Sequence, residues 1–189
     1  MKLSWSKYEL SKSYDEYITP KRTVRGHLRK IGNFFESLTF NDLQELDSAT
    51  KSAIKSMGIN FRVYSDEGSE QRTWPLDFIP RIIKKSEWNI VEKGLKQRTK
   101  ALNYFIEDCY NEQSFLNSGF INKSLITKSK YFLKFCKGTK LPNKSWAHIS
   151  GSDLIKDING DFHVLEDNLR VPSGVSYICL LYTSPSPRD

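Results

Sequence analysis

The sequence predicts a domain of mixed α/β (α+β) class, and three observations carry that expectation. Apolar residues recur at helical spacing in two stretches, Leu43 to Met57 and Trp88 to Cys109. Short alternating runs follow each of them, at Ile59 to Tyr64 and on either side of Asn159-Gly160. The composition is that of a packed chain: 189 residues, 38 % hydrophobic, 13 % aromatic and 27 % charged. That fills about one domain and is too apolar for disorder. No run approaches the roughly 18 apolar residues of a membrane span, and the start MKLSWSKYEL lacks the apolar core of a signal peptide. Three widely spaced cysteines form neither a disulfide framework nor a four-ligand zinc site. The expectation is a reduced, cytoplasmic protein.

Residues 1–37 read as polar and aromatic, with a basic cluster at Lys21, Arg22, Arg25, Arg29 and Lys30. Thr39 with Asp42 three residues later reads as an N-cap with an acid in the first turn. Leu43, Leu46, Ala49, Ala53, Ile54 and Met57 then follow helical spacing, and Gly58 ends the run. Ile59, Phe61 and Val63 alternate with Asn60, Arg62 and Tyr64 as in a strand, and Ser65 to Glu70 read as the loop that stops it. The apolar stretch Trp74 to Ile83 holds Pro75 and Pro80, so it is at most an edge strand or two short ones.

Ser86 reads as the cap of the clearest helix. Trp88, Val91, Leu95, Leu102, Phe105 and Cys109 share one stripe, which reads as core, with Cys109 a small hydrophobe in it. Arg98 falls on the same stripe. A buried arginine needs partners, so it either snorkels to the rim or reaches a site. From Phe115 to Lys144 the pattern fits short helices and strands equally.

The formal charge of +7 is concentrated. Between Glu112 and Asp153 stand seven lysines (Lys123, Lys128, Lys130, Lys134, Lys137, Lys140 and Lys144) and no acidic residue. Lysines without an interleaved arginine-aromatic code read first as a solvated face, with nucleic acid disfavoured as a partner.

The chemistry lies in Ser150 to Tyr177, SGSDLIKDINGDFHVLEDNLRVPSGVSY. Asn159-Gly160 between two alternating runs predicts a two-residue type I′ hairpin. Ile158 then pairs with Asp161, Asp157 with Phe162 and Ile155 with Val164. Asp153 lies directly across from Glu166, with Asn168 on the same face and His163 on the other. Opposed carboxylates repel unless a hard cation lies between them. Two carboxylates and one amide oxygen suit Mg²⁺, which keeps waters and binds substrate phosphates. The competing readings are a solvent-facing acidic decoration and a small calcium loop at Asp157, Asn159 and Asp161, which lacks the later bidentate glutamate.

The acid, the Glu-x-Asn thirteen residues on and the Pro-Ser-Gly turn resemble the metal hairpin of ATP-grasp ligases. TWPLDFIPRIIKKSEW, GLKQRTKALNYFIEDCY and VLEDNLRVPSGVSY together resemble the circularly permuted ATP-grasp type 2 proteins. The resemblance implies the N-terminal part of that fold, ending in the metal-binding β-hairpin. Residues 1–145 would form the α/β region before it and residues 146–178 the hairpin segment. It implies ATP and Mg²⁺ as cofactors, with Asp153, Glu166 and Asn168 as metal ligands. Arg170 would contact the transferring phosphoryl group or else form a rim salt bridge, and the backbone of Ser173 and Gly174 would face an oxyanion. Lys156 departs from the arginine expected there, so a bidentate contact would be lost.

Residues 179–189, CLLYTSPSPRD, match the translation of a transposase adapter used in sequencing libraries, so they read as a non-native tail on a truncated gene. The reading is therefore a fragment, inactive by itself, of an ATP-dependent carboxylate–amine or carboxylate–thiol ligase acting on small substrates away from membranes. The rival readings are a non-catalytic nucleotide- or metal-binding domain and a basic nucleic-acid-binding module.

Overall fold

The computed structural model describes residues 4–65, 68–172 and 174–183. The chain forms two compact units: residues 1–83, 155–163 and 173–189 make the first, and residues 84–154 and 164–172 the second. Helix and antiparallel strand are both present, as the sequence patterns require.

In the first unit, residues 1–37 are better organised than their polar composition announces. Trp5, Ile18 and Phe35 form a buried cluster, flanked by Leu10, Tyr17, Val24, Ile31 and Phe78. The Asp15 carboxylate accepts the backbone N–H groups of Tyr17 (2.9 Å) and Ile18 (2.6 Å), which turns the chain into this core. Helix α1 (Arg29–Ser37) follows. Its Gly32 lies so close to Val24 that a Cβ would stand 2.6 Å from a methyl carbon, and its carbonyl accepts the Trp5 indole N–H at 3.1 Å.

Helix α2 (Phe40–Ser56) begins as its sequence predicts. Thr39 Oγ1 accepts from the Asp42 N–H at 3.2 Å, and the Asp42 carboxylate accepts from the Thr39 N–H at 2.7 Å, a reciprocal cap. At the other end Ile59 N–H donates to the Ile54 carbonyl and Gly58 N–H to that of Lys55. Gly58 is left-handed (φ +68°), and Ile54 and Ile59 are both buried, so the helix closes in a Schellman motif.

Strand β1 (Asn60–Ser65) pairs antiparallel with β2 (Gly68–Thr73), Asn60 opposite Thr73 and Ser65 opposite Gly68. This corrects one expectation. Part of the presumed loop at 65–70 is strand, its residues 66 and 67 lying outside the described residues; Trp74 to Ile83 forms no strand, within the expectation of at most an edge strand or two short ones there. GSEQRT carries no apolar alternation, so only its pairing with β1 reveals it. Trp74 packs its ring 4.4 Å from that of Tyr177, whose hydroxyl donates to the Asn60 carbonyl at 3.3 Å.

The second unit is built on α3 (Lys85–Tyr110), 26 residues long. Its cap lies two residues before the predicted Ser86: Lys84 is the N-cap, and its N–H is taken by Glu87 at 3.1 Å. Val91 and Cys109 on the predicted stripe are buried, whereas Trp88 is 42 % exposed. Burial, with the Asp108 carboxylate second, pushes the Cys109 thiol up to about 11, so it stays protonated and inert.

The segment after α3 resolves into short helices, α4 (Ser114–Asn117) and α5 (Lys123–Thr127), and single turns at Lys134–Cys136 and Pro142–Lys144. Asp108 caps α4 by accepting from the N–H groups of Ser114 and Phe115. The chain leading to the hairpin is pinned to α3 by Asn103, whose Oδ1 accepts from the N–H groups of Trp146 (2.7 Å) and Ala147 (2.8 Å). Trp146 also stacks on Tyr110 and donates its indole N–H to Glu107 at 2.6 Å. All seven lysines of the segment are exposed, as a solvated face requires.

Candidate metal centre

Strands β3 (Gly151–Lys156) and β4 (Phe162–Asn168) form the expected hairpin, but with a different turn. Asp157 N–H donates to the Asp161 carbonyl and Gly160 N–H to the Asp157 carbonyl, both at 3.0 Å. Gly160 is left-handed (φ +89°), while Asn159 is absent from the residues with positive φ. The loop is therefore the three residues Ile158-Asn159-Gly160, a type I turn followed by a glycine bulge, and not the two-residue type I′ turn. The Asp157 side chain selects it, accepting from the N–H groups of Asn159 and Asp161, each at 2.9 Å. Those bonds, that of Asp161 foremost, together with the His163 ring, hold the Asp157 carboxyl below its ordinary range despite partial desolvation. Asp157 thus serves as the acceptor that shapes the turn.

The longer loop shifts the register by one residue near the tip. Asp157 opposes Asp161 instead of Phe162, and Ile155 is exposed while Val164 is half-buried, so those two are not a pair. His163 shares the face of Asp157, with Nε2 3.2 Å from Oδ2, against the expected opposite face. Carried to the base, this shift would send Asp153 and Glu166 to opposite faces. It does not persist. Ser152 Oγ donates to Asp167 Oδ1 at 2.7 Å, which places those two residues on one face, the register the two-residue turn would have given. One extra residue must lie between, and the exposure pattern of β4 shows where: Leu165 and Glu166 are consecutive exposed residues in an otherwise alternating strand. This β-bulge returns Glu166 to the outward side. Asp153, Glu166 and Asn168 are all exposed and alternate with the inward Ser152 and Asp167.

Asp167 is the residue the sequence reading passed over. Its side chain is 9 % exposed, and besides Ser152 it accepts from Arg98 Nε at 2.5 Å. Burial opposes its ionisation, yet the bonds from Ser152 and Arg98 and the Arg98 charge outweigh that and hold the carboxyl below its usual range. Arg98 thereby finds its partner: its guanidinium, half exposed, ties α3 to the middle of Glu166-Asp167-Asn168. An arginine on an apolar stripe was the one signal in the sequence for this anchor.

At the tip, Lys156 is buried within the first unit. Its ammonium stands 3.7 Å from the Glu16 carboxylate, 4.6 Å from the Phe162 ring centroid and 5.4 Å from that of Tyr14. The bidentate contact to Glu16 is made by Arg81, at 2.5 and 2.7 Å. Gly160 fits against Tyr14 so closely that a Cβ would lie 2.6 Å from the ring.

Arg170 is exposed, just beyond β4. Val171 follows in the left-handed region (φ +48°), a strained position for a β-branched residue. Gly174 opens helix α6 (Gly174–Thr183) and not a tight turn, and Ser173 lies outside the described residues.

Among the described residues no three His, Cys, Asp or Glu side chains gather at one point. The proposed set reaches three only by including an amide. Asn168 Nδ2 donates to Glu166 Oε1 at 2.9 Å, the orientation an amide takes beside an uncompensated carboxylate. Turning the amide would present its oxygen beside Glu166, and two carboxylates plus that oxygen form a hard donor set that fits Mg²⁺.

The model of the circularly permuted ATP-grasp type 2 family matches residues 80–181, which holds α3, the hairpin and most of α6. The chain belongs to this family. An uncharacterized protein of Synechocystis is 40 % identical over 171 residues, covering 90 % of this chain and 36 % of its own length. An uncharacterized protein of Mycobacterium tuberculosis is 38 % identical over 88 % of this chain and 29 % of its own. A Frankia alni protein that carries the provisional name glutamate–cysteine ligase is 33 % identical, over 87 % of this chain and 19 % of its own. The chain thus spans about a third or less of the curated relatives it matches. Among the described residues no helix is long and apolar enough to cross a membrane.

Proposed function

We propose that the outward face of the β3–β4 hairpin is the magnesium site of an ATP-dependent carboxylate–amine or carboxylate–thiol ligase. The observation that carries this reading is the bulge at Leu165-Glu166. It sets Asp153, Glu166 and Asn168 outward while Asp167 is locked inward. Asp153 and Glu166 would each give the metal a carboxylate oxygen, and Asn168 its amide oxygen. The bound ion would neutralise charge on the β- and γ-phosphates of ATP during transfer.

This chain's own residues do the positioning. Arg98 and Ser152 hold Asp167, which fixes the backbone from which Glu166 and Asn168 project. Arg170, exposed and one residue past Leu169, would hydrogen-bond the transferring phosphoryl group. The backbone N–H of Gly174, in the first turn of α6, and that of Ser173 would serve an oxyanion. In the reaction, a carboxylate oxygen of one substrate attacks the γ-phosphorus and ADP leaves. The amine or thiol of the second then attacks the acyl carbon of the acyl phosphate, and inorganic phosphate leaves. The glutamate–cysteine ligase name of the Frankia relative supports an amine as acceptor.

The test has two stages. Titrating Mn²⁺ into the chain gives a saturable paramagnetic signal that Glu166→Gln removes while the circular dichroism spectrum stays the same. In the chain extended to the length of its relatives, Glu166→Gln abolishes ATP-dependent ligation. Turnover retained in that variant refutes the assignment; metal binding without turnover in the extended wild type leaves a non-catalytic binding domain.

A further inference from the structure

The second unit contains a cleft of about 620 Å³ along one side of α3, lined also by Asn143 and Lys144 of the Pro142–Lys144 turn and by Ser150 of the approach to β3. That volume is within the roughly 300–1,000 Å³ of small-molecule sites. Its lining is electrically one-sided. Lys96, Lys100 and Lys144 face it against one carboxylate, Glu92, and Glu92 is already engaged by Lys96 at 2.7 Å.

Lys100 and Lys144 both reach the ring of Tyr104. Their ammonium groups stand 5.6 and 5.5 Å from the centroid of the same ring, Tyr104. Among the described residues neither has a carboxylate within ion-pair distance. A ring quadrupole attracts cations but carries no net charge, so neither ammonium is neutralised by direct ion pairing, and the carboxylates of Glu107, Asp108 and Glu112 lie in the adjoining recess that Tyr104 and Lys144 also line.

The turn that delivers Lys144 is strained. Asn143 and Lys144 are both left-handed, with φ +55° and +53°, a conformation that asparagine tolerates and lysine does not favour. The two N–H bonds to Asn103 Oδ1 just downstream hold the turn in place. Strain maintained by surrounding contacts is characteristic of ligand-binding positions. Thr99, Ser145 and Ser150 add hydroxyl donors to the wall, and Trp88 an exposed indole.

We infer that this cleft binds a small organic phosphate, with the phosphate between Lys100 and Lys144 and the uncharged part of the ligand along Trp88. A phosphate monoester carries close to two negative charges at neutral pH, which matches two free ammonium groups better than a single carboxylate does. The hydroxyl groups take the remaining oxygens. This site is separate from the hairpin's outward face: Ser152, which also lines the cleft, points inward where Asp153 points out. The inference does not rest on the ligase reading.

Calorimetric titration of the chain with pyrophosphate and with ribose 5-phosphate, in EDTA so that no divalent cation contributes, tests it. Ribose 5-phosphate binds wild type, and the double variant Lys100→Gln/Lys144→Gln weakens it at least about tenfold, about 1.4 kcal/mol. Lys100→Arg/Lys144→Arg restores binding, and Lys128→Gln/Lys134→Gln, outside the cleft, leaves it unchanged. Pyrophosphate binding without ribose 5-phosphate binding shows a bare anion site and overturns the organic ligand. Undetectable binding of both overturns the site itself. So does a loss in the Lys128/Lys134 control equal to that in the cleft variant, since the effect is then diffuse charge.

Discussion

Asp167 shows how much a single inward carboxylate can organise. Glu166 and Asn168 are proposed as metal ligands because their residue types and spacing fit a hard cation. The acid between them reads in the sequence as an unremarkable strand residue. In the fold it is the fixed point: Ser152 at 2.7 Å, Arg98 at 2.5 Å and near-complete burial. Asp167→Ala removes the acceptor for both and leaves Arg98 unpaired, so stability falls by roughly 1–3 kcal/mol, read by urea unfolding. The same variant weakens Mn²⁺ binding although Asp167 touches no metal, and unchanged Mn²⁺ affinity contradicts the positioning role. The pH dependence has a definite sign. The folded carboxyl titrates below its unfolded value of about 3.9, so its contribution is complete above that value and is lost as pH falls through the lower, folded one. Wild type therefore loses stability on acidification below about pH 4, and Asp167→Asn flattens that part of the profile.

At the scale of elements, what was legible followed from local chemistry, and what was missed followed from pairing. The α2 cap is written in Thr39 and Asp42, and its end in Gly58. Gly58→Ala forces a Cβ into a left-handed position and costs about 1–2 kcal/mol, measured as a fall in the urea midpoint with the slope unchanged. Strand β2 was invisible because Gly68–Thr73 has neither apolar alternation nor β-branched residues apart from its terminal threonine. The hairpin was found but given the wrong turn, because Asn159-Gly160 signals type I′ only when no neighbouring side chain competes for the same N–H groups. Asp157 does compete. The register departs from the expected one by a residue at the tip, a slip the pattern did not contain, and the inward contact of Ser152 with Asp167 requires a bulge nearer the base. Gly160→Ala tests the tip: with φ at +89° and Tyr14 2.6 Å from the new Cβ, it destabilises more than Gly58→Ala, whose Cβ meets nothing within 4 Å. Equal effects would mean that the Gly160–Tyr14 contact is not maintained in solution.

For the whole molecule, the proposed metal binding and the proposed turnover make separate demands. Every proposed ligand of the metal is supplied by one hairpin, and its anchor by one helix. A cation held by two carboxylates and an amide needs nothing further from the chain than correct backbone geometry. Transfer of a phosphoryl group needs more. The triphosphate must be gripped along its length and the acceptor carboxylate aligned with the γ-phosphorus. Near the hairpin's outward face, Arg170 is the one cationic group assigned to that task. The curated relatives named above are about three times as long as the segment matched here, or longer. The expected outcome is that the 189-residue chain binds Mn²⁺ yet releases no ADP from ATP with any carboxylate and amine offered. The same chain extended to the relatives' length releases ADP in step with product. A coupled assay for ADP distinguishes the cases, and ADP release by the short chain that Glu166→Gln abolishes would show that the hairpin and α3 suffice for catalysis.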